Sequence, residues 1–187
     1  PKFVVANLTE AAWNQPEVVE QLCRIARQGI HLVVTALPAV SVLEQSAGLR
    51  RLFGILRIRS PKVQTQGVDL YEGFLLGGEK IYCAKTEKEQ KCQDLNLEMP
   101  WLTLTSGTKV YMKAMLNDPD VDVQEEPPVI WRKSFGDGFE FVVSGDYFQG
   151  TIGLGLLTAM LHETQQVTVY PVLNAQNLVI EHGINRD

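Results

Sequence analysis

Two short, apolar, β-branched runs, "FVVAN" at 3–7 and "HLVVT" at 31–35, bracket one amphipathic stretch, "PEVVEQLCRIARQG". No other feature narrows the folds open to this chain so far. A strand that is apolar on both faces needs cover on both faces, which is the situation inside a parallel sheet. Val18, Leu22, Ile25 and Ala26 recur at helical spacing and predict the crossover helix that supplies one cover. Asn14 is placed to cap that helix, with Pro16 in its first turn, Glu17 three residues after the cap and Gly29 at its end. "IHLVVTALP" stops at Pro38, and a second helix is expected over 40–53, with Ser41 and Glu44 as a capping pair and Gly54 as its stop. "ILRIRS" reads as a third strand. Strand, helix, strand, helix, strand at this spacing predicts a parallel sheet with right-handed crossovers.

The pattern changes over 62–116, where "EGFLLGG", "KIYCAK", "PWLTLTS" and "TKVYMKAML" alternate between turn signals and predict a β-rich hairpin insertion. "NDPDVDVQEEPP" follows as an acidic, proline-bounded surface loop. Next come "PVIWRKS", a Gly-Asp-Gly turn, "FEFVVSG" and a last helix, "TIGLGLLTAMLHE". The expected fold is one α/β domain over 1–175, with 176–187 beginning a linker. Gly145-Asp146 falls where the core strand at 139–143 leaves the sheet, at the edge where open α/β sheets hold ligands. Asn7, Thr35, Ser144, Asp146 and Tyr147 are the candidate ligand-binding residues, taken from the C-terminal ends of the predicted strands. The same Gly-Asp also suits a plain strand-ending turn, with Asp146 capping the loop.

Several activities are disfavoured. A chain of 187 residues with net charge −5 and a pI near 5.3 shows no concentrated basic face, so no nucleic-acid partner is expected. No apolar run approaches the roughly 18 residues of a membrane span. A nucleophile elbow needs Ser or Cys on the strand-to-helix turn, and after "HLVVT" stand Ala36, Leu37, Pro38 and Ala39. Ser41 is explained as a helix cap, and Cys23 as a small buried hydrophobe inside a helix. His31, His162 and His182 have no ligand-like spacing, so neither metal nor cofactor is expected. In "GTIGLGLLT" the third glycine position of a dinucleotide loop is Thr158; Gly153 and Gly155 serve close helix packing, although the helix N-terminus suits an anion. Cys83 and Cys92 flank "AKTEKEQK": in an oxidising compartment they close a short disulfide loop, and in a reducing one they are two exposed thiols. Trp13, Trp101 and Trp131 build either a sugar-stacking platform or parts of the core. Asn7-Leu8-Thr9 matches a glycosylation sequon. Opening on an apolar strand without an initiator Met, the sequence is expected to belong to a longer protein.

"VVTALPAVSVLEQSAGLRRLFGI" and "PPVIWRKSFGDGFEFVVSGDYFQGTIGLGLLTAML" resemble the class I glutamine amidotransferase-like superfamily, and in particular its non-catalytic members that accompany glycoside-processing proteins. With "YPVLNAQNLVI", the chain is similar to a bacterial family in which such a domain precedes a polysaccharide-deacetylase-like domain. The resemblance implies a flavodoxin-like parallel sheet flanked by helices, without the superfamily's catalytic cysteine. It implies a polysaccharide and the C-terminal domain of the same chain as partners, and an extracellular or cell-envelope location. Ser144 departs from the Asn associated with that turn. The expected function is therefore a non-catalytic accessory, glycan-binding or assembly module of a larger polysaccharide-modifying protein. The alternatives are a divergent hydrolase using Asp146 or Glu79 as a carboxylate base, and a dimerisation domain using the β-rich middle.

Overall fold

The computed structural model describes residues 3–65, 67–71, 74, 98–116 and 120–164. Apart from Phe74, the "EGFLLGG" and "KIYCAK" strands lie outside the described residues, as do Glu79, Cys83, Cys92, His182, "YPVLNAQNLVI" and the 176–187 linker.

The chain begins with β1 (Phe3–Ala6), a short α1 (Glu10–Trp13), α2 (Pro16–Arg27) and β2 (His31–Val34). β1 and β2 pair in parallel, Phe3 opposite His31 through Ala6 opposite Val34. Every residue of β2 is buried, as a doubly covered strand requires. Asn14 does not cap α2: it closes α1, donating from its side-chain amide to the carbonyl of Glu10, and Gln15 precedes α2. Thr9 begins α1, its hydroxyl accepting from the amide of Ala12. The single helix expected over 40–53 is two, α3 (Val40–Gln45) and α4 (Ala47–Phe53), because Ser46 adopts an extended backbone and caps α4 by accepting from Leu49. No Ser41–Glu44 capping pair forms; α3 starts after Ala39 without a side-chain cap. Gly54 ends α4 as its position suggested.

The larger departure is the next strand. β3 (Ile55–Gln64) leaves the parallel sheet and pairs antiparallel with β5 (Glu98–Leu104) as a separate two-stranded ribbon. Arg57, Arg59 and Lys62 explain this, because a central parallel strand would have to bury them, and in β3 they stay exposed. The place beside β2 goes to β8 (Gly138–Val143), parallel to it, Leu32 opposite Glu140. From β8 the sheet continues antiparallel through β7 (Pro128–Phe135), β6 (Lys109–Met115) and β4 (Gly67–Leu70). The six-stranded sheet, ordered β1-β2-β8-β7-β6-β4, is thus mixed rather than all parallel. The β7–β8 hairpin turns at Gly136, whose φ of +62° a two-residue hairpin loop readily uses.

Two cores lie on the sheet's two faces. On one face, Leu32, Val34, Trp131 and Val142 pack against Leu22, Leu43, Leu49 and Phe53 of the helices and against Leu102 of the ribbon. The Trp131 indole N–H, buried there, donates to the Phe53 carbonyl at the end of α4 over 2.8 Å, which joins β7 to the helical layer. On the other face, α5 (Gly150–Glu163) covers Val33, Phe141 and Val143 through Leu156, Ala159 and Met160. At its far end Glu163 accepts from Tyr111 and from the Lys109 ammonium at 2.9 Å, while Arg132 donates to its backbone carbonyl at 3.2 Å. Cations at a helix C-terminus complement its dipole. Burial pushes the Glu163 carboxyl up, but Tyr111, Lys109 and Arg132 together outweigh it and hold the group low.

Candidate functional site

Because β1, β2 and β8 run parallel and adjacent, the residues after them, Asn7, Thr35 and Ser144, stand along one crest of the sheet. Thr35 is buried and spends both donors on one neighbour: its amide and its hydroxyl donate to the Ala6 carbonyl at 3.2 and 3.4 Å. Ser144, 1% exposed, donates its amide to the Val129 carbonyl at 2.7 Å. Gly145 then turns with φ +108°, and a Cβ there would meet the Tyr147 ring at 2.8 Å. Asp146 is exposed and accepts from the Gln149 side chain, while Tyr147 packs half-buried against the α5-side core.

A recess of about 300 Å³ opens beside this crest. Its walls are the β2–α3 loop at 37–40 and the outer end of the ribbon, where Lys62 pairs with Glu98 at 2.5 Å. Of the five predicted residues only Ser144 borders it; Asn7, Thr35, Asp146 and Tyr147 do not. Pro38, Pro61 and Pro100 make the recess stiff and largely apolar. Among the described residues that line it there is no cysteine or histidine. Cys23 sits away in α2, half-buried, with burial pushing its thiol up and away from the reactive thiolate. His31 lies at the opposite end of β2, where Nδ1 accepts from the Phe139 amide at 3.1 Å and burial holds the imidazole below its usual range. No group of three or more His, Cys, Asp or Glu among the described residues is arranged to hold a metal.

Three features escape a reading by sequence. The first is a cleft of about 800 Å³ between the ribbon and β6, lined in part by the 3-10 turn Val123–Glu125. Lys113, only 8% exposed on β6, holds that turn by donating to the carbonyls of Val123 and Gln124 at 3.0 and 3.1 Å. Arg59 reaches across from β3 to Glu125 at 2.7 Å and lies over the Trp101 ring at 5.0 Å, while the Trp101 indole donates to the Glu125 carbonyl. Trp13 meets Phe53 edge-on in the core and Trp131 is wholly buried, so the three tryptophans form no common stacking platform. The second feature is Glu140, fully buried on β8 with no partner for either carboxylate oxygen. Burial pushes its carboxyl up to about 8, against a smaller opposing pull from its own backbone amide and Lys133. Lys133 faces Glu140 in register, but its ammonium donates to Thr105 at 3.0 Å. The acid inside "FEFVV" was the available signal. The third is the Glu163 anchor, whose partners come from β6 and β7.

A family described as "Uncharacterised protein conserved in bacteria (DUF2194)" matches residues 32–182. No functionally curated protein matches the chain. Among solved structures, the β-galactosidase of Bacillus circulans sp. alkalophilus aligns with 87% of this chain at a TM-score of 0.52 and 19% identity. The exo-β-1,4-mannosidase of Opitutaceae bacterium strain TAV5 aligns with 87% at 0.51 and 13% identity. Cytoplasmic protein STM3548 of Salmonella typhimurium aligns with 80% at 0.53 and 10% identity. The chain spans 22% and 25% of the two glycosidases and 61% of the Salmonella protein. At such identities the likeness is one of fold.

Proposed function

The chain belongs to the bacterial family DUF2194, and on that premise we propose that this domain is a non-catalytic accessory module of a larger polysaccharide-modifying protein of the cell envelope. Its parallel trio continued by antiparallel strands is read as a variant of the flavodoxin-like, class I glutamine amidotransferase-like arrangement. A deacetylase-like domain elsewhere in the same protein carries the chemistry, and the crest serves to dock or position it. The observation that supports this reading most is the state of the crest. Thr35 is committed to a backbone carbonyl, Ser144 is buried, and the recess beside Ser144 is lined mainly by prolines and aliphatic side chains, with the Lys62–Glu98 ion pair as its charged part. Likeness in fold to a fifth or a quarter of two glycosidases is consistent with a domain that works within a longer carbohydrate-active chain.

The test is activity with and without the domain. The isolated chain, incubated with acetylated oligosaccharides and with aryl esters, is expected to turn over neither. The full-length protein is expected to deacetylate polymer, and to do so more slowly once this domain is deleted. Turnover by the isolated chain that disappears in Asp146→Asn would instead establish the competing reading, a divergent hydrolase.

A further inference from the structure

The cleft between the ribbon and β6 is larger than the crest recess and differently furnished. We propose that it is a binding site for a neutral oligosaccharide. Its volume of about 800 Å³ lies within the range of sites that hold ligands of several rings, roughly 300–1,000 Å³. Thr103, Thr105 and Thr108, with their hydroxyls, and Gln124, with its amide, are among the residues that line it. Each hydroxyl offers one donor and two acceptor sites, so each keeps capacity beyond its internal contacts. Those contacts are Arg59 to Thr103 at 3.1 Å, Lys133 to Thr105 at 3.0 Å, and Thr105 to Thr108 at 3.5 Å.

The cations decide the charge class. Arg59 is neutralised by Glu125, and Lys113 is buried and held by two carbonyls. An anionic ligand would have to displace those partners, whereas a neutral polyol meets hydroxyls, an amide and carboxylates as they stand. Burial pushes the Glu126 carboxyl up, against smaller opposing pulls from the Leu116 backbone and Lys113. Leu104 and Val110, both half-buried, supply apolar surface for the C–H faces of a sugar. Tyr71, 39% exposed, presents a ring at the margin, with the Lys113 ammonium 6.0 Å from its centre. Polar edges with an aromatic flank suit a pyranose, which has hydroxyls around its rim and C–H faces above and below.

This inference rests on the accessory-module reading only for its expectation of a glycan, and the two fail separately. Isotope-labelled chain is titrated with cellohexaose, xylohexaose and galactohexaose, and with oligogalacturonate as the anionic comparison. At least one neutral hexaose is expected to bind with a dissociation constant of about 1 mM or tighter and to shift the amides of Thr103, Thr105, Thr108 and Gln124. Thr103→Val is expected to weaken it roughly ten-fold, and so is Tyr71→Ala, which changes an exposed side chain and leaves the fold's other signals in place. Silence with every neutral sugar overturns the proposal. So does tighter binding of oligogalacturonate, or a shift map centred on Ser144 and Gly145. A null titration combined with slower deacetylation on deleting the domain would discard this site and keep the module.

Discussion

The crest, where the parallel strands end, and the ribbon cleft, which lies against β6 inside the antiparallel half of the same sheet, are built in opposite ways. At the crest three parallel strands end side by side, and the chain fills the edge with its own groups: Thr35 on the Ala6 carbonyl, Ser144 on Val129, Tyr147 beneath Gly145. At the cleft a strand too polar to stay in the sheet peels away, and its partner β5 goes with it. The gap that remains is bridged by long side chains, Arg59 and Lys113, rather than by backbone. Backbone closure leaves about 300 Å³, and bridging by side chains leaves about 800 Å³. Strand topology alone therefore points to the crest, the less roomy of these two places.

Four substitutions probe that contrast, in descending order of effect. Trp131→Ala removes a wholly buried indole and its bond to Phe53, at the seam between the helix-covered strands and the antiparallel ones. It is expected to cost about 4 kcal/mol in urea unfolding. If the two halves were independent, the transition would instead split in two.

Glu140→Gln tests the interior of the parallel half. In the folded protein Glu140 keeps its proton between about 4.5 and about 8, a range over which an unfolded chain has lost it. The folded state then binds more protons, so this group's contribution to stability falls as pH rises through that window and levels off above it. The glutamine variant is expected to lack that component of the slope and to exceed the parent at pH 8 by on the order of 3 kcal/mol. Parallel stability–pH curves for the two proteins would refute a protonated Glu140.

Lys113→Met releases the turn that lines the cleft, with an expected cost of about 1–2 kcal/mol and faster amide exchange over 122–126. Unchanged exchange there would mean the turn is held by something else. The smallest effect is expected from Arg59→Ala. Arg59 holds the exposed Glu125 carboxyl below its usual range, so its loss should raise that midpoint in an NMR titration without moving the unfolding transition.

What was readable in the sequence follows from how each part is stabilised. β1, β2, α2, the Gly136 hairpin and α5 were evident because apolar periodicity or a turn residue specifies them locally. The division at Ser46 was hidden, since either one helix or two satisfies the same apolar spacing over 40–53. β3 was read as a sheet member on its Ile55–Ile58 pattern, while its arginines argued for the ribbon. Of the candidate residues, Asn7, Thr35 and Ser144 do share one edge, because strand direction alone sets that. The cleft was not legible, since Arg59, Thr103, Lys113 and Glu125 meet only once the ribbon has folded back, and no motif spaces them.

Strand order also sets a schedule for synthesis. β2 is finished at Val34, yet its inner neighbour begins only at Gly138, so the ribosome must deliver the intervening hundred-odd residues first. At roughly 5–20 residues per second that is on the order of ten seconds during which an apolar strand stands with one side unpaired. A nascent chain halted before β8 would be a natural client for a chaperone, and a truncation ending there would be expected in the insoluble fraction.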